Sequence, residues 1–342
     1  MARPVVTERC IPLDARADWQ DALRGIPHAF GHTWESCYAI HLTSRLPTYL
    51  YCFTKEDVRI VCPIAERTLG GHTDIVTPYG FSGFVGNRDC PDFPEHWSAF
   101  ARRRGYVCGY FQLHPVFENR TYFAPAETHQ YNHVYVIDLT LDPRELLARL
   151  GRTRRKEVAR LGEGPDHVIV DRGAATDFFL ATYSAFFRRK NAAAPYGFSE
   201  ETVSFLCGLD NTLLVGAGAD GRVEAAALGA YTPYCGEGLF QVSLPDRPRH
   251  AVQLVWHRVN RLKALGVPRF NLGGGIKDGD GVAAFKEQFG GTKLPLRSLR
   301  QIYRPDVFEQ LCRQTGAVGH DPAGYFPPYR TPSAASRPAI GA

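Results

Sequence analysis

At 342 residues the chain is longer than one ordinary domain and has ample material for a buried core, so two domains are expected. Its 44% hydrophobic and 22% charged residues exclude a fibre or wholesale disorder, while 33 glycines and 24 prolines imply many turns. The net charge of +5 is mild for a nucleic-acid binder, with basic residues gathered at Arg102–Arg104, at Arg152 with Arg154–Lys156, and at Arg188–Lys190, each either a solvated helix face or a surface for a polyanion.

The first ten residues hold no apolar run that could form a signal-peptide core, and no later stretch approaches the ~20 apolar residues of a spanning helix. A cytoplasmic protein without a membrane span is expected. The nine cysteines are scattered and form no Cys-x-x-Cys pair, which points to reduced, mostly buried thiols. Thr48 to Pro63 reads as a hairpin with a polar turn over Thr54–Asp57. Asn132 to Leu139 alternates as a strand. Pro143 to Leu161 has apolar residues at helical spacing, and Asp142 before Pro143 makes a good N-cap. Helices follow over Thr176–Phe187 and Ser199–Cys207, the latter capped by Ser199. A second hairpin runs from Leu213 to Ala230 and turns at Asp220-Gly221. His250 to Leu265 is an amphipathic helix ending at Gly266, Arg269 to Leu272 a short strand, and Val282 to Phe289 a helix. This mixture is α/β (α+β). The stretch from about Gly316 to Ala342 is rich in Pro, Ala and Ser and reads as a loosely attached tail.

Several constellations fail on their chemistry. His129 and His133 lack a third metal ligand, and they lead into a strand. Asp278-Gly279-Asp280-Gly281 has Phe289 where a calcium loop needs a bidentate carboxylate. Gly80-Phe81-Ser82-Gly83-Phe84 lacks the glycine that a nucleophile elbow needs two residues after its serine. Gly273-Gly274-Gly275 follows a strand as a phosphate loop does, but no Gly-Lys-Ser/Thr follows, which leaves a flexible connection. No metal is expected.

In the second half, Leu254–His257, Arg261–Val267, Phe270–Gly274 and Phe285-Lys286-Glu287-Gln288-Phe289-Gly290-Gly291 resemble, in that order, segments of the Fem-type peptidoglycan-bridge aminoacyltransferases, members of the GNAT superfamily. In the first half, Val58–Arg67, Thr77-Pro78-Tyr79-Gly80-Phe81-Ser82-Gly83 and Phe111–Asn119, with its His114-Pro115-x-x-x-Asn119 spacing, match that family's first-domain hairpin, loop and following stretch. Each motif is short, and their order gives the resemblance its specificity over roughly residues 20 to 300. It implies two GNAT-like acyltransferase domains in tandem, with mixed sheets flanked by helices: residues 1–131, then 132–315, then the tail 316–342. An acceptor cleft between the domains and an aminoacyl-tRNA donor are implied as well.

The resemblance also implies roles. Lys286 would be catalytic, stabilising the developing oxyanion or the tRNA 3′ end. Phe285 and Phe289 share one helical face and would anchor that helix, with Phe285 also lining the cleft. Tyr79 and Gly80 would border the acceptor, with His114 and Asn119 among its binding residues, and Arg188 would face an acceptor phosphate. Arg154 and Arg155 would touch tRNA.

The donor has evidence of its own. An acetyl-CoA enzyme of this superfamily cradles pyrophosphate in a glycine-rich turn at a helix start. Here the corresponding residues are Asp246-Arg247-Pro248-Arg249-His250-Ala251, which lack the inner glycine and lose an amide donor at Pro248; Arg249 and His250 are the side chains left to meet an anion. The expected protein is therefore an aminoacyl-tRNA-dependent aminoacyltransferase that forms a peptide or amide bond on an amine acceptor, a peptidoglycan precursor or a natural-product intermediate, without a cofactor. Two alternatives stay open: an acyl-CoA- or acyl-carrier-dependent N-acyltransferase, and a non-catalytic binding protein on the same fold.

Overall fold

The computed structural model describes residues 5–161, 166–190, 197–245, 250–317 and 324–331. In chain order the elements are β1 (Val6–Pro12), α1 (Arg16–Leu23), α2 (Trp34–Ser44), β2 (Thr48–Lys55), β3 (Val58–Leu69), β4 (His72–Val76), β5 (Val85–Gly86), α3 (Phe93–Arg103), β6 (Cys108–Gln112) and β7 (Thr128–Asp138). Then come α4 (Pro143–Arg149), α5 (Arg152–Ala159), β8 (Asp166–Ile169), α6 (Arg172–Arg189), α7 (Glu200–Gly208), β9 (Thr212–Ala219), β10 (Arg222–Tyr231) and β11 (Gly236–Ser243). The last are α8 (Ala251–Ala264), β12 (Arg269–Asn271), α9 (Gly281–Glu287), β13 (Thr292–Ile302) and α10 (Pro305–Gln314). The class is mixed α/β.

The described residues divide into two compact units: those up to 131 with those from 295 onward, and those from 132 to 294. Each unit repeats one topology. In the first, β1, β2, β3 and β4 pair antiparallel in sequence order, β4 pairs parallel with β6, and β6 pairs antiparallel with β13 through Ser298–Ile302. In the second, β8, β9, β10 and β11 pair antiparallel, β11 pairs parallel with β12, and β12 pairs antiparallel with the end of β7. Parallel neighbours need a crossover, and α3 and α8 supply it at equivalent places. Each sixth strand comes from chain that adjoins the other unit in sequence.

Local chemistry explains the elements. The β9–β10 turn uses Asp220 at φ 52 and Gly221 at φ 72, the paired left-handed residues that let a two-residue turn follow strand twist. Asp142 accepts from the Arg144 and Glu145 amides at the start of α4, and Ser199 accepts from the Thr202 amide at the start of α7. In the first unit the core is aromatic: Trp97 of α3 is fully buried, 4.7 Å from Tyr51 and 4.9 Å from Phe84 between ring centres, and its indole N–H donates to Gln301 at 2.8 Å. In the second, Ile137, Leu146, Val259, Leu262, Phe270 and Phe289 close the core beneath α8.

Two expectations are corrected. The single helix read over Pro143–Leu161 is two, α4 and α5, because Leu150 and Gly151 are extended and the Gly151 amide donates to the Gln288 carbonyl at 2.9 Å. Residues 324–331, inside the stretch read as a loose tail, are docked. Phe326 and Tyr329 are buried, and Arg330 donates to Asp74 at 2.6 Å.

Candidate active site

Two parallel strands that separate leave a wedge whose walls are backbone. In the second unit, β11 and β12 pair only at Gly236–Phe270 and Glu237–Asn271, although β11 continues to Ser243. Past Asn271 the chain turns away through Gly273 at φ 74. The equivalent place in the first unit is bridged. There Thr77 donates from its amide to the Tyr110 carbonyl at 3.1 Å, its hydroxyl accepts from the Gln112 amide at 3.0 Å, and the Ser82 amide donates to the Gln112 carbonyl at 2.9 Å. The loop Thr77–Gly83 therefore closes the first opening, whereas the second has no such bridge among the described residues.

Lys286 lies beside the second opening. Asp280 caps α9 by accepting from the Ala283 amide at 2.8 Å, and it also accepts from the Ile276 and Lys277 amides at 2.7 and 3.0 Å. These amides hold its carboxyl below the usual range. The fixed helix brings the Lys286 ammonium to the Gly274 carbonyl at 2.6 Å, leaving two of its three N–H groups without an acceptor among the described residues. Burial, with the Arg258 charge adding to it, pushes Lys286 down to about 8, against a weaker opposing pull from Asp280.

The triple glycine is a close-packed wall and not the flexible connection its composition suggested. A Cβ on Gly273 would stand 3.1 Å from the Lys286 ammonium, one on Gly274 would stand 2.2 Å from the His133 carbonyl oxygen, and one on Gly275 would stand 2.3 Å from Asp280. The two aspartates of that stretch are occupied as well, Asp280 as the cap and Asp278 with His133 at 3.1 Å and Lys293 at 3.3 Å.

Phe285 is half-buried, 5.2 Å from Phe289 between ring centres, and the Arg154 guanidinium lies 4.7 Å from its ring centre. Arg154 also pairs with Glu157. Arg155 donates to the Leu147 and Leu150 carbonyls at 3.1 and 3.2 Å and to Ala148, satisfying the end of α4. Both arginines are thus engaged by the protein. Arg188 is exposed in the last turn of α6.

The remaining expected residues lie in the first unit. Tyr79 is half-buried, and Gly80, at φ 113, has open space where a Cβ would be. His114 is buried, accepts from the Val116 amide at 3.3 Å through Nδ1, and donates its own amide to the Ser82 carbonyl at 3.0 Å. Asn119 caps a short 3-10 turn by accepting from the Thr121 amide at 2.9 Å, and it donates to Asp89 at 2.8 Å. The loop and the His-Pro stretch do come together, with Ser82 bridging to Leu113. Sequence reasoning missed His32 beside them. Burial and the neighbouring His28 and His114 hold it well below the usual histidine range, and neither its Nε2 nor the Ser82 hydroxyl has a well-formed hydrogen bond among the described residues.

Asp246–Arg249, on which the comparison of donors turned, lies outside the described residues. His250 was considered as an anion ligand, but it is buried and committed: Nε2 meets Glu224 at 2.8 Å and Nδ1 meets Gln253 at 2.8 Å. The cation that sequence reasoning overlooked is Arg258 of α8, which is only 4% exposed. Its signal was available, since Arg258 sits inside the apolar stripe Leu254, Val255, Val259, Leu262, where a solvated charge has no place.

Known structures share this arrangement. FemX superposes with a TM-score of 0.65 at 12% identity, covering 89% of this chain and 99% of that one. The L-PGS of Bacillus licheniformis gives 0.54 at 13% identity over 89% and 97%, and the C-terminal domain of a putative lysylphosphatidylglycerol synthetase from Agrobacterium fabrum gives 0.51 at 17% over 75% and 84%. No protein-family model and no curated protein matches the sequence. The fold is therefore Fem-like, reached at an identity too low to carry function with it. No described helix is long and apolar enough to cross a membrane.

Proposed function

We propose that this chain is an aminoacyltransferase that moves an aminoacyl group from tRNA to an amine acceptor. The observation that carries the proposal is Lys286, partly buried beside an open wedge and tied by one N–H, with no acceptor for the other two among the described residues. In the transfer, the acceptor amine attacks the ester carbonyl, a C–N bond forms, and the carbonyl oxygen becomes an oxyanion. Collapse then breaks the C–O bond to the ribose, and the amine proton passes to the departing hydroxyl oxygen. A fixed ammonium stabilises the oxyanion. A lysine titrating near 8 stays mostly charged at neutral pH, and it also gives up a proton to an alkoxide more readily than an ordinary lysine.

The tRNA donor is favoured by the sequence of Asp246–Ala251, where a pyrophosphate cradle lacks its glycine and one amide. Fem-type proteins suggest a peptidoglycan-precursor amine as acceptor. The name of one similar structure, a putative lysylphosphatidylglycerol synthetase, adds the phosphatidylglycerol headgroup to the panel as a hydroxyl acceptor that would take the group as an ester. In this reading Phe285 lines the wedge beside Lys286, Tyr79 and Gly80 border the acceptor with buried His114 and the turn cap Asn119 supporting their loop from behind, and exposed Arg188 serves an anionic acceptor group.

The test offers purified protein pools of charged tRNA, with and without ribonuclease, beside a panel of acyl-CoAs, and follows label into amine acceptors. Ribonuclease-sensitive transfer is expected. Transfer from a CoA thioester that ribonuclease leaves unchanged replaces this reading with a CoA-dependent N-acyltransferase, and no transfer from either donor favours a binding protein.

A further inference from the structure

Arg258 is a buried guanidinium with no counter-ion among the described residues. Its Nε donates to the Leu254 carbonyl of its own helix at 3.2 Å, and its terminal nitrogens have no acceptor among the described residues. It forms no ion pair there, and burial alone pulls it down to about 10. Guanidinium nonetheless stays charged at neutral pH, and with the Phe270 ring, 5.5 Å away, as its aromatic neighbour and no anion beside it among the described residues, the buried charge is only partly offset, so a chain that keeps it without a use is at a disadvantage.

Its position gives the use. Gly229 and Gly238 are cross-strand partners on β10 and β11, and a Cβ on Gly238 would lie 3.4 Å from Nη1 of Arg258 and 3.8 Å from the carbonyl oxygens of Asn271 and Leu272. Gly238 is the first residue of β11 past its pairing with β12. The guanidinium therefore stands at the apex of the wedge, over a patch of strand without side chains. Lys286 borders the same strand end: a Cβ on Gly273, the residue after Leu272, would stand 3.1 Å from its ammonium. The first unit serves as an internal control: the buried face of α3, the equivalent crossover helix, is Phe93, Trp97, Phe100 and Ala101, all uncharged. The fold does not require a charge here.

We infer that Arg258 and Lys286 together form a receptor for an oxyanion that enters the wedge between β11 and β12, a phosphate or carboxylate group of the donor with at least two acceptor oxygens. A guanidinium fork meets such a group with two parallel N–H bonds, and the ammonium adds a third donor. Calling the anion part of the donor rests on the transfer reading above; the binding of an anion at Arg258 stands on the geometry alone.

The experiment reads binding without transfer. The full chain is titrated at constant ionic strength with inorganic phosphate and, separately, with acetate, against chloride, following thermal unfolding and the Lys286 side chain by NMR. Phosphate or acetate is expected to raise the melting temperature and to shift the Lys286 titration upward. Arg258→Met is expected to melt higher than the parent without anion, since the buried charge is gone, and to lose the anion effect at least tenfold in midpoint concentration. Should Arg258→Met fail to fold, Arg258→Lys retains the charge without the fork and is expected to weaken the midpoint roughly tenfold. A response to phosphate alone assigns the site to a nucleotide phosphate, and a response to acetate as well assigns it to an acyl carboxylate. An equal response in the parent and in the substituted protein, or none in the parent to either anion, overturns the inference, and neither result bears on whether tRNA is the donor.

Discussion

The guanidinium of Arg154 lies 4.7 Å from the centre of the Phe285 ring, one residue before Lys286, while Phe289 touches the same ring from the core side. The arginine thus holds the outer face of the helix that presents the ammonium. A cation over an aromatic face contributes about 0.5–2 kcal/mol, the upper end when desolvated. Arg154→Ala is therefore expected to lower unfolding free energy by about 1 kcal/mol in urea titrations and to reduce transfer several-fold through a looser Lys286. If stability is unchanged while affinity for tRNA falls, Arg154 belongs to an RNA surface instead.

Lys286 makes a pH prediction whose sign can be worked out. In the unfolded chain a lysine titrates near ~10.4, whereas here burial has brought it to about 8. Between those values the unfolded state binds the extra proton, so stability rises with pH across that window and is flat below it. The charged form carries a cost on the order of 3 kcal/mol. Urea unfolding of the parent at pH 7.5 and pH 10 is expected to show this rise relative to Lys286→Met. Transfer should fall above pH 8 as the ammonium is lost, and Lys286→Ala should lower kcat by roughly 100-fold.

Much of the fold was legible because its signals are local. The Asp220-Gly221 turn, the Asp142 and Ser199 caps and the Gly266 terminus each act within a few residues. What was illegible is set from far away. The break at Leu150-Gly151 is fixed by the Gln288 carbonyl, which takes the Gly151 amide, and its one local sign is the glycine itself. The passage of β13 to β6 is likewise a long-range pairing without a local mark. In the site, the Phe-Lys-x-x-Phe segment pointed to Lys286. Arg258, in contrast, was hidden in plain view within an apolar stripe whose periodicity invited attention to its hydrophobic members alone.

Asp74 shows what docks the segment 324–331. It is 1% exposed, takes Arg67 at 2.6 Å and Arg330 at 2.6 Å, and accepts from the Tyr329 hydroxyl at 3.2 Å. Asp74→Ala leaves two guanidinium groups facing each other without an anion, which typically costs about 3–5 kcal/mol. The expected result is a large fall in stability together with rapid proteolysis within 324–331. Unchanged protease resistance there would show that Phe326 and Tyr329 hold the segment without the ion pair.

Gly274 separates packing from flexibility. If the triple glycine served as a hinge, adding one methyl would stiffen the chain and change little else. A Cβ at Gly274 would instead come 2.2 Å from the backbone oxygen of His133, closer than any contact can be, and neither strand nor loop can yield without moving Lys286, whose ammonium is bonded to the Gly274 carbonyl. Gly274→Ala is therefore expected to destabilise by several kcal/mol, as overpacking against backbone does, and to abolish transfer. Gly208→Ala is the control: that glycine closes α7 with nothing within 4 Å of its added Cβ, so the exchange should be neutral or stabilising by about 0.5–1 kcal/mol. Urea unfolding of the two variants side by side decides the matter. Equal, small effects would mean that the loop beside Lys286 is slack, and the placement of the ammonium would then need another support.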